Sequence, residues 1–408
     1  MIAMDRTRLF VASCVSLVTT AMVFAIRGDV AGDMAAAFHL TNEQLGLIFS
    51  PAFWCFTIAI FVSGALIDAV GMRALHVASA VGYAVGIALI VLAARPSAPV
   101  ASIFDHAGTI MLYAGFMIMG LSQGLVEGVI NPLIATVYND RKTQRLNMLH
   151  AWWPGGMIVG GLVAVALTHL GARWEVKLAT ILVPAFVYLA MALALRYPKT
   201  ERVQNEVPDR DMWREALRPG FVLLFCVMWL TAAIELGPDQ WFPAVMQGLA
   251  PSMQGVMYLV YTAGLVFVLR TFASGVAHKS PVATLLVCSI LAGLGLFWLG
   301  HLEPGVTSVG VALTAATVFG VGKSFLWPTM LGLTSERYPR GGALLMCLMG
   351  GAGMASVAIA LPIMGARIDR FGPGAALQMM AALAIPLAIV FGGLLIAGAQ
   401  RAARARLA

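Results

Sequence analysis

Residues 64–71 read GALIDAVG, and residues 365–372 read GARIDRFG. The shared pattern is Gly-Ala-x-Ile-Asp-x-x-Gly. Each copy follows an apolar run of about 20 residues, the length a helix needs to cross a hydrocarbon layer about 30 Å thick. Counting outward from the two copies gives apolar runs at 9–28, 44–66, 74–94, 109–138, 148–170, 177–196, 219–246, 253–274, 282–300, 307–333, 342–364 and 375–397. Twelve alternating spans put the two copies on opposite membrane faces, the mark of an inverted repeat.

The composition agrees with a chain that lives in lipid. Of 408 residues, 60% are hydrophobic and 11% charged, where a soluble domain carries about 25% charged residues. Mean hydropathy is +0.87. Connections such as 139–147 are too short for a soluble catalytic domain, and the one long polar interruption, 196–219, falls near the middle. The chain therefore divides into an N-terminal six-helix bundle over 1–198, a cytoplasmic linker over 199–217 and a C-terminal six-helix bundle over 218–408. The first apolar run ends without a small-residue cleavage site, so it reads as an uncleaved helix and not as a signal peptide.

Net charge is +7, and its placement matters more than its size. Lys and Arg near helix ends favour the cytoplasmic side. With the N-terminus inside, Arg73, Arg141, Lys142, Arg145, Arg337 and Arg340 all become cytoplasmic. Both termini are then cytoplasmic, in a multi-pass protein of a bacterial inner membrane, and the basic excess requires no nucleic acid. No zinc motif, paired catalytic carboxylates in a polar loop or phosphate-cradling glycine loop occurs, which argues against an enzyme, a metal site, a bound cofactor and an ATP-driven pump.

A second repeat runs parallel. Superimposing Pro132 on Pro328 sets an offset of 328 − 132 = 196, which places Glu127 on Lys323, Leu149 on Leu345 and Gly155 on Gly351. Inverted repeats nested within parallel halves are the architecture of the major facilitator transporters, and GALIDAVGMR resembles the signature loop between their second and third helices. The resemblance implies an all-α fold of twelve membrane helices in two pseudo-symmetric bundles. In that loop Gly64 and Gly71 permit close approach and a tight turn. Asp68 is placed to accept from helix N-terminal amides, and Arg73 to anchor the cytoplasmic end. These four residues read as gating or packing elements.

Ionisable groups inside spans cost about 2.5–3.5 kcal/mol each by insertion scales and usually face a cavity or a partner. Here they are Arg27 and Asp29 in the first span, Glu127 in the fourth, Glu235 and Asp239 in the seventh, and Lys323 in the tenth. Those are the four spans that line the central cavity in transporters of this architecture. Glu127 and Asn131 lie four apart on one helix face, and Pro132 can kink the span beside them. A carboxyl withdrawn from water holds its proton more readily, so Glu127 can serve as a proton carrier; an inter-half strut with Lys323 is the plain alternative. Arg27 and Lys323 either bind an anionic substrate group or neutralise Asp29 and Glu127. Trp153 and Trp241, with Gln240 beside the latter, can stack on and donate to a sugar.

Longer stretches narrow the resemblance. EGVINP (127–132), RLNMLHAWWPGG (145–156), SFLWPT (324–329), GGAGMASVAIALPIMGARID (350–369), DVAGDMAAAFHLTNEQLGLI (29–48) and ELGPDQW (235–241) resemble, in order and spacing, the fucose:proton symporter family. That resemblance implies sugar uptake powered by the proton gradient with no cofactor, by a monomer in the bilayer. Its two membrane carboxylates, which matter for coupling or recognition, fall on Asp29 and Glu127, the candidate proton-coupling residues; with the residues read above, the candidate substrate set is Arg27, Asn131, Trp153, Glu235, Gln240, Trp241 and Lys323. Three positions depart from the family's pattern. Trp153 stands where the family has a polar residue, and Arg27 and Lys323 add cations to a cavity that otherwise handles neutral sugars. The alternative is therefore an organic-anion or sugar-acid carrier with Arg27 and Lys323 as an anion clamp.

Overall fold

The computed structural model describes residues 5–253, 255–304 and 306–407, with the side chains of 42, 43, 240, 243, 244, 256, 369 and 401–407 outside the description. In chain order the helices are α1 (Arg6–Phe38), α2 (Asn42–Val70), α3 (Met72–Val91), α4 (Ala107–Val137), α5 (Lys142–His150), α6 (Trp152–His169), α7 (Trp174–Ala179), α8 (Leu182–Ala194), α9 (Glu201–Gln204) and α10 (Asp209–Ala216). They continue as α11 (Pro219–Leu249), α12 (Gly255–Phe272), α13 (Ser274–Lys279), α14 (Pro281–Leu299), α15 (Val309–Lys323), α16 (Leu326–Arg337), α17 (Gly342–Phe371), α18 (Pro373–Ala381) and α19 (Ala384–Leu407). Among the described residues, eleven stretches are long and apolar enough to cross a bilayer, and Met257–Phe272 supplies a shorter twelfth. Their outward faces carry exposed Leu162, Val183, Ile385 and Ile389, as lipid contact requires.

More helices than spans arise because prolines cut several spans. Proline offers no N–H to the carbonyl four residues back, and its ring crowds that carbonyl. Pro154, Pro184, Pro328 and Pro386 each follow a break by three or four residues, separating α5 from α6, α7 from α8, α15 from α16 and α18 from α19. Pro51, Pro132 and Pro362 are absorbed inside continuous helices.

The chain packs as two compact units. The first comprises Met1–Asn139, Trp152–Glu215 and Pro339–Gly351; the second comprises Asp140–Ala151, Ala216–Tyr338 and Ala352–Ala408. These units differ from the sequence halves in two segments, since α5 packs with the second unit and the start of α17 with the first.

In the first unit α4 lies close on α2 along a glycine row. A Cβ added at Gly120 would lie 2.6 Å from the Ala52 carbonyl oxygen, and one at Gly128 would lie 2.5 Å from the Ser63 Cβ. Small residues at four-residue spacing let helix backbones approach where no hydrophobic force drives them together, and this row fixes the rotation of α4. The carbonyl of Gly128, freed by Pro132, accepts from the Cys347 thiol at 3.5 Å. Cys347 is thus a donor and more than a small apolar filler.

The signature turn is built differently from its sequence expectation. Gly71 adopts φ 91° and its echo Gly372 adopts φ 84°, so both copies end on a residue in the region that favours glycine. Gly64 packs against Cys347. Asp68, however, does not cap α3, whose N-cap carries no side-chain hydrogen bond. The linker takes this carboxylate: Arg202 donates to it through Nε at 2.7 Å and Nη2 at 2.5 Å, and the Thr200 hydroxyl donates as well. A buried Arg is a stronger competitor for a carboxylate than a backbone amide. Arg73 turns to the end of α8, donating to the Ala192 carbonyl at 3.0 Å and to that of Leu193.

In the second unit one ion pair repairs the break between α15 and α16. The Glu235 carboxylate accepts from the Trp327 N–H at 2.7 Å and from Arg270 at 2.5 Å. Arg270 also donates to Ser324 O at 2.5 Å and His150 O at 2.9 Å. Those are the two carbonyls that Pro328 and Pro154 leave without a helical donor.

Two outcomes follow. Arg270→Met leaves a buried carboxylate and two carbonyls unanswered and should cost about 3–5 kcal/mol, read as a lower melting temperature of the purified protein in detergent. Glu235→Gln with Arg270→Met should lose less than Arg270→Met alone; an equal loss would separate the two groups. At the linker, Arg202→Ala should speed tryptic cutting at Arg210 and Arg214 several-fold, whereas Asp209→Asn, at a carboxylate 79% exposed, should leave the cutting rate unchanged.

Candidate functional site

In the first unit Arg27 sits in the second half of α1, only 5% exposed. Its guanidinium carbon lies 4.5 Å from the ring centre of Phe53, 4.8 Å from Phe24 and 5.8 Å from Phe49. Phe24 is one turn earlier on α1, and Phe49 and Phe53 are one turn apart on α2, so helix periodicity alone brings three rings to one cation. Trp153 extends the cluster, packing on Phe24 at 5.0 Å between ring centres. Phe24 and Phe53 meet edge-on at 5.9 Å. Among the described residues Arg27 makes no ion pair or hydrogen bond, and its Nη1 is fully enclosed without a partner.

Asp29 does not neutralise Arg27. Two residues further on, it faces around the helix and accepts from Lys177 of α7 at 2.7 Å. The carboxylate is 31% exposed and Lys177 is enclosed.

Glu127, 4% exposed, is set by the glycine row of α4. Its Oε2 accepts from Asn131 Nδ2 at 2.8 Å, and the same Nδ2 also reaches the Glu127 backbone carbonyl at 3.0 Å. Among the described residues Glu127 has no ion-pair partner. Its level relative to Arg27 follows from two contacts between antiparallel helices. Gln123 donates to Thr20 O, and Tyr138 donates to Arg6 O. Glu127 is one turn from Gln123 in one direction and Arg27 two turns from Thr20 in the other, so at 1.5 Å per residue they stand about 16 Å apart along the axes. The Phe49–Phe116 contact at 4.8 Å fits the same register.

In the second unit the ionisable residues expected at the cavity are ion-paired. Lys323 is buried, pairs with Asp239 and lies 5.0 Å from the Phe319 ring centre. Glu235 is fully engaged by Arg270 and the Trp327 amide. Trp241 donates its indole N–H to Leu361 O at 3.1 Å and packs against Gly365, so that N–H is already committed inside the protein. The Gln240 side chain lies outside the described residues.

Five participants escaped the sequence reading. Arg270 lies in the eighth span and meets the same test that singled out Lys323, an ionisable residue in an apolar run. Lys177 stands at the first position of the predicted span 177–196, where a charge looks like an ordinary span-end residue. The three phenylalanines look like ordinary lipid-facing or core residues until the α1–α2 pairing is known.

Comparison with known proteins agrees with this architecture. A family model described as Major Facilitator Superfamily matches residues 9–344. No curated protein matches the chain in sequence. Among solved structures, the human organic anion transporter MFSD10 (TETRAN) superimposes with a TM-score of 0.74 at 13% identity, covering 95% of this chain and 100% of that one. The proton:xylose symporter XylE bound to 6-bromo-6-deoxy-D-glucose gives 0.73 at 14% identity, covering 94% of each chain. A single-residue variant of the E. coli fucose:proton symporter FucP gives 0.69 at 16% identity, covering 94% of this chain and 98% of that one. Twelve spans, nested repeats and a family match over most of the length lead to one conclusion: this chain belongs to the Major Facilitator Superfamily and is an integral membrane transporter, not an enzyme.

Proposed function

We propose that the chain is a proton-coupled symporter that moves a monosaccharide or sugar derivative by alternating access, with Glu127 as its proton carrier. One observation carries this reading: Glu127 is a carboxyl almost fully withdrawn from water, with an amide donor and no cation beside it among the described residues. Losing its proton there creates a buried charge stabilised by Asn131 alone, so protonation is tied to whether water and solute reach the site. The fold is one that proton:xylose and fucose:proton symporters use. Asn131 is the group that adjusts, since its amide can donate to an ionised carboxylate or present its oxygen to a protonated one.

Asp29, already held by Lys177, is the weaker coupling candidate. Gly64, Asp68, Gly71 and Arg73 act in gating through the linker contacts of Asp68. The excess of Lys and Arg in the loops assigned to the inner face supports an inner-membrane protein with both termini cytoplasmic, working as a monomer on the proton gradient without a cofactor. The anion-clamp alternative loses one jaw, because Lys323 is neutralised by Asp239, but Arg27 remains available.

The test uses proteoliposomes and the sugar or sugar acid that most raises the melting temperature in a binding screen. Glu127→Gln should abolish accumulation driven by a pH gradient while solute exchange across the membrane persists. Accumulation at the wild-type level in Glu127→Gln would remove Glu127 from the coupling role.

A further inference from the structure

Among the described residues, three of the cations buried in the spans are held by a carboxylate, and Arg27 is not. Lys177 has Asp29, Arg270 has Glu235 and Lys323 has Asp239. Arg27 has only the faces of Phe24, Phe49 and Phe53. Those faces attract the charge of the guanidinium, but they do not take the N–H groups at its edge, and Arg cannot shed its proton to escape. Asp29 is already committed, and Glu127 stands about 16 Å away along the helices.

We infer that Arg27 and its phenylalanine ring set form the binding site for the carboxylate of the transported solute, which makes that solute a monoanionic sugar acid. This rests on the symporter reading and names its substrate class. The chemistry fits a carboxylate in three respects. The planar fork of the guanidinium matches two carboxylate oxygens. Apolar aromatic walls lower the local dielectric and strengthen the pairing. Trp153, packed at a 60° tilt against Phe24 at the margin of the cluster, offers an indole of the kind on which the C–H face of a sugar ring packs. A single guanidinium with no second free cation beside it suits one negative charge, not the two of a phosphate.

Full-length protein in detergent is assayed by thermal shift and equilibrium binding with D-glucuronate, D-galacturonate and D-gluconate, each against its neutral parent sugar at matched ionic strength. At least one acid should stabilise the wild type where its parent does not, and Arg27→Gln should weaken that acid's binding by about tenfold or more. Arg27→Lys should recover part of it. Without ligand, Arg27→Gln should melt no lower than wild type, because it removes a charge that has no partner; a purely structural cation would give the opposite. Phe53→Leu should also weaken the acid, giving a second variant that leaves the charge in place. Stabilisation by none of the three acids, or an acid-specific shift that survives Arg27→Gln, overturns the inference. The two proposals fail separately. Proton-driven uptake of neutral sugars lost in Glu127→Gln would leave the coupling reading standing and sink the carboxylate site; acid binding lost in Arg27→Gln alongside normal uptake in Glu127→Gln would do the reverse.

Discussion

A charge buried among apolar helices is costly unless something within hydrogen-bond reach answers it, and the second unit contains one such answer. Proline removes helical donors at two points, and a helix that loses donors in an apolar interior must find others. Arg270 supplies them to Ser324 and His150, and Glu235 accepts from the amide of Trp327. The ion pair between the two side chains then repays the desolvation of both. Breaks, charges and packing are therefore one problem with one solution, and the discontinuity in the tenth span is held open by chemistry and not by a lack of contacts.

How much of this was legible in the sequence depended on range. Apolar runs located the spans, and the fourth, predicted over 109–138, is a helix over Ala107–Val137. The first, predicted over 9–28, continues as helix to Phe38, because apolarity ends where lipid ends whereas a helix ends where its hydrogen bonds are taken over. The breaks were legible in principle, since each is announced by a proline a few residues on. The ion pairs were not. Lys177 and Asp29 lie 148 residues apart, and Arg202 lies 134 residues from Asp68, so no local pattern marks them. Charge inside a span announces that a partner exists without saying which.

The parallel repeat adds a contrast that neither half shows alone. Glu127 and Lys323 occupy equivalent positions, each just before a proline that disturbs its helix. Lys323 is answered by Asp239 on a neighbouring helix, while Glu127 is answered only by an amide on its own. At this pair of equivalent positions, among the described residues, the duplicated scaffold carries an ion-paired charge in the second unit and one without an ion-pair partner in the first. On the proposed reading, Glu127 and Arg27 of the first unit carry the transport chemistry.

The two unpaired groups have opposite sign, and this has a consequence for a carrier built as proposed. Empty, with Glu127 ionised, Arg27 and Glu127 together hold one positive and one negative charge and sum to zero. Loaded, with a proton on Glu127 and a carboxylate on Arg27, they again sum to zero, with neither charge left exposed. A proton alone leaves Arg27 bare, and a carboxylate alone leaves Glu127 bare, so each half-loaded form carries a net charge through the apolar interior. That penalty falls on the forms that would leak, because moving an uncompensated charge through low dielectric is costly. In a carrier built as proposed the empty and the fully loaded forms have the same net charge, so one-to-one transport of a proton with a monoanion would be electroneutral, and the loaded form alone leaves neither group bare.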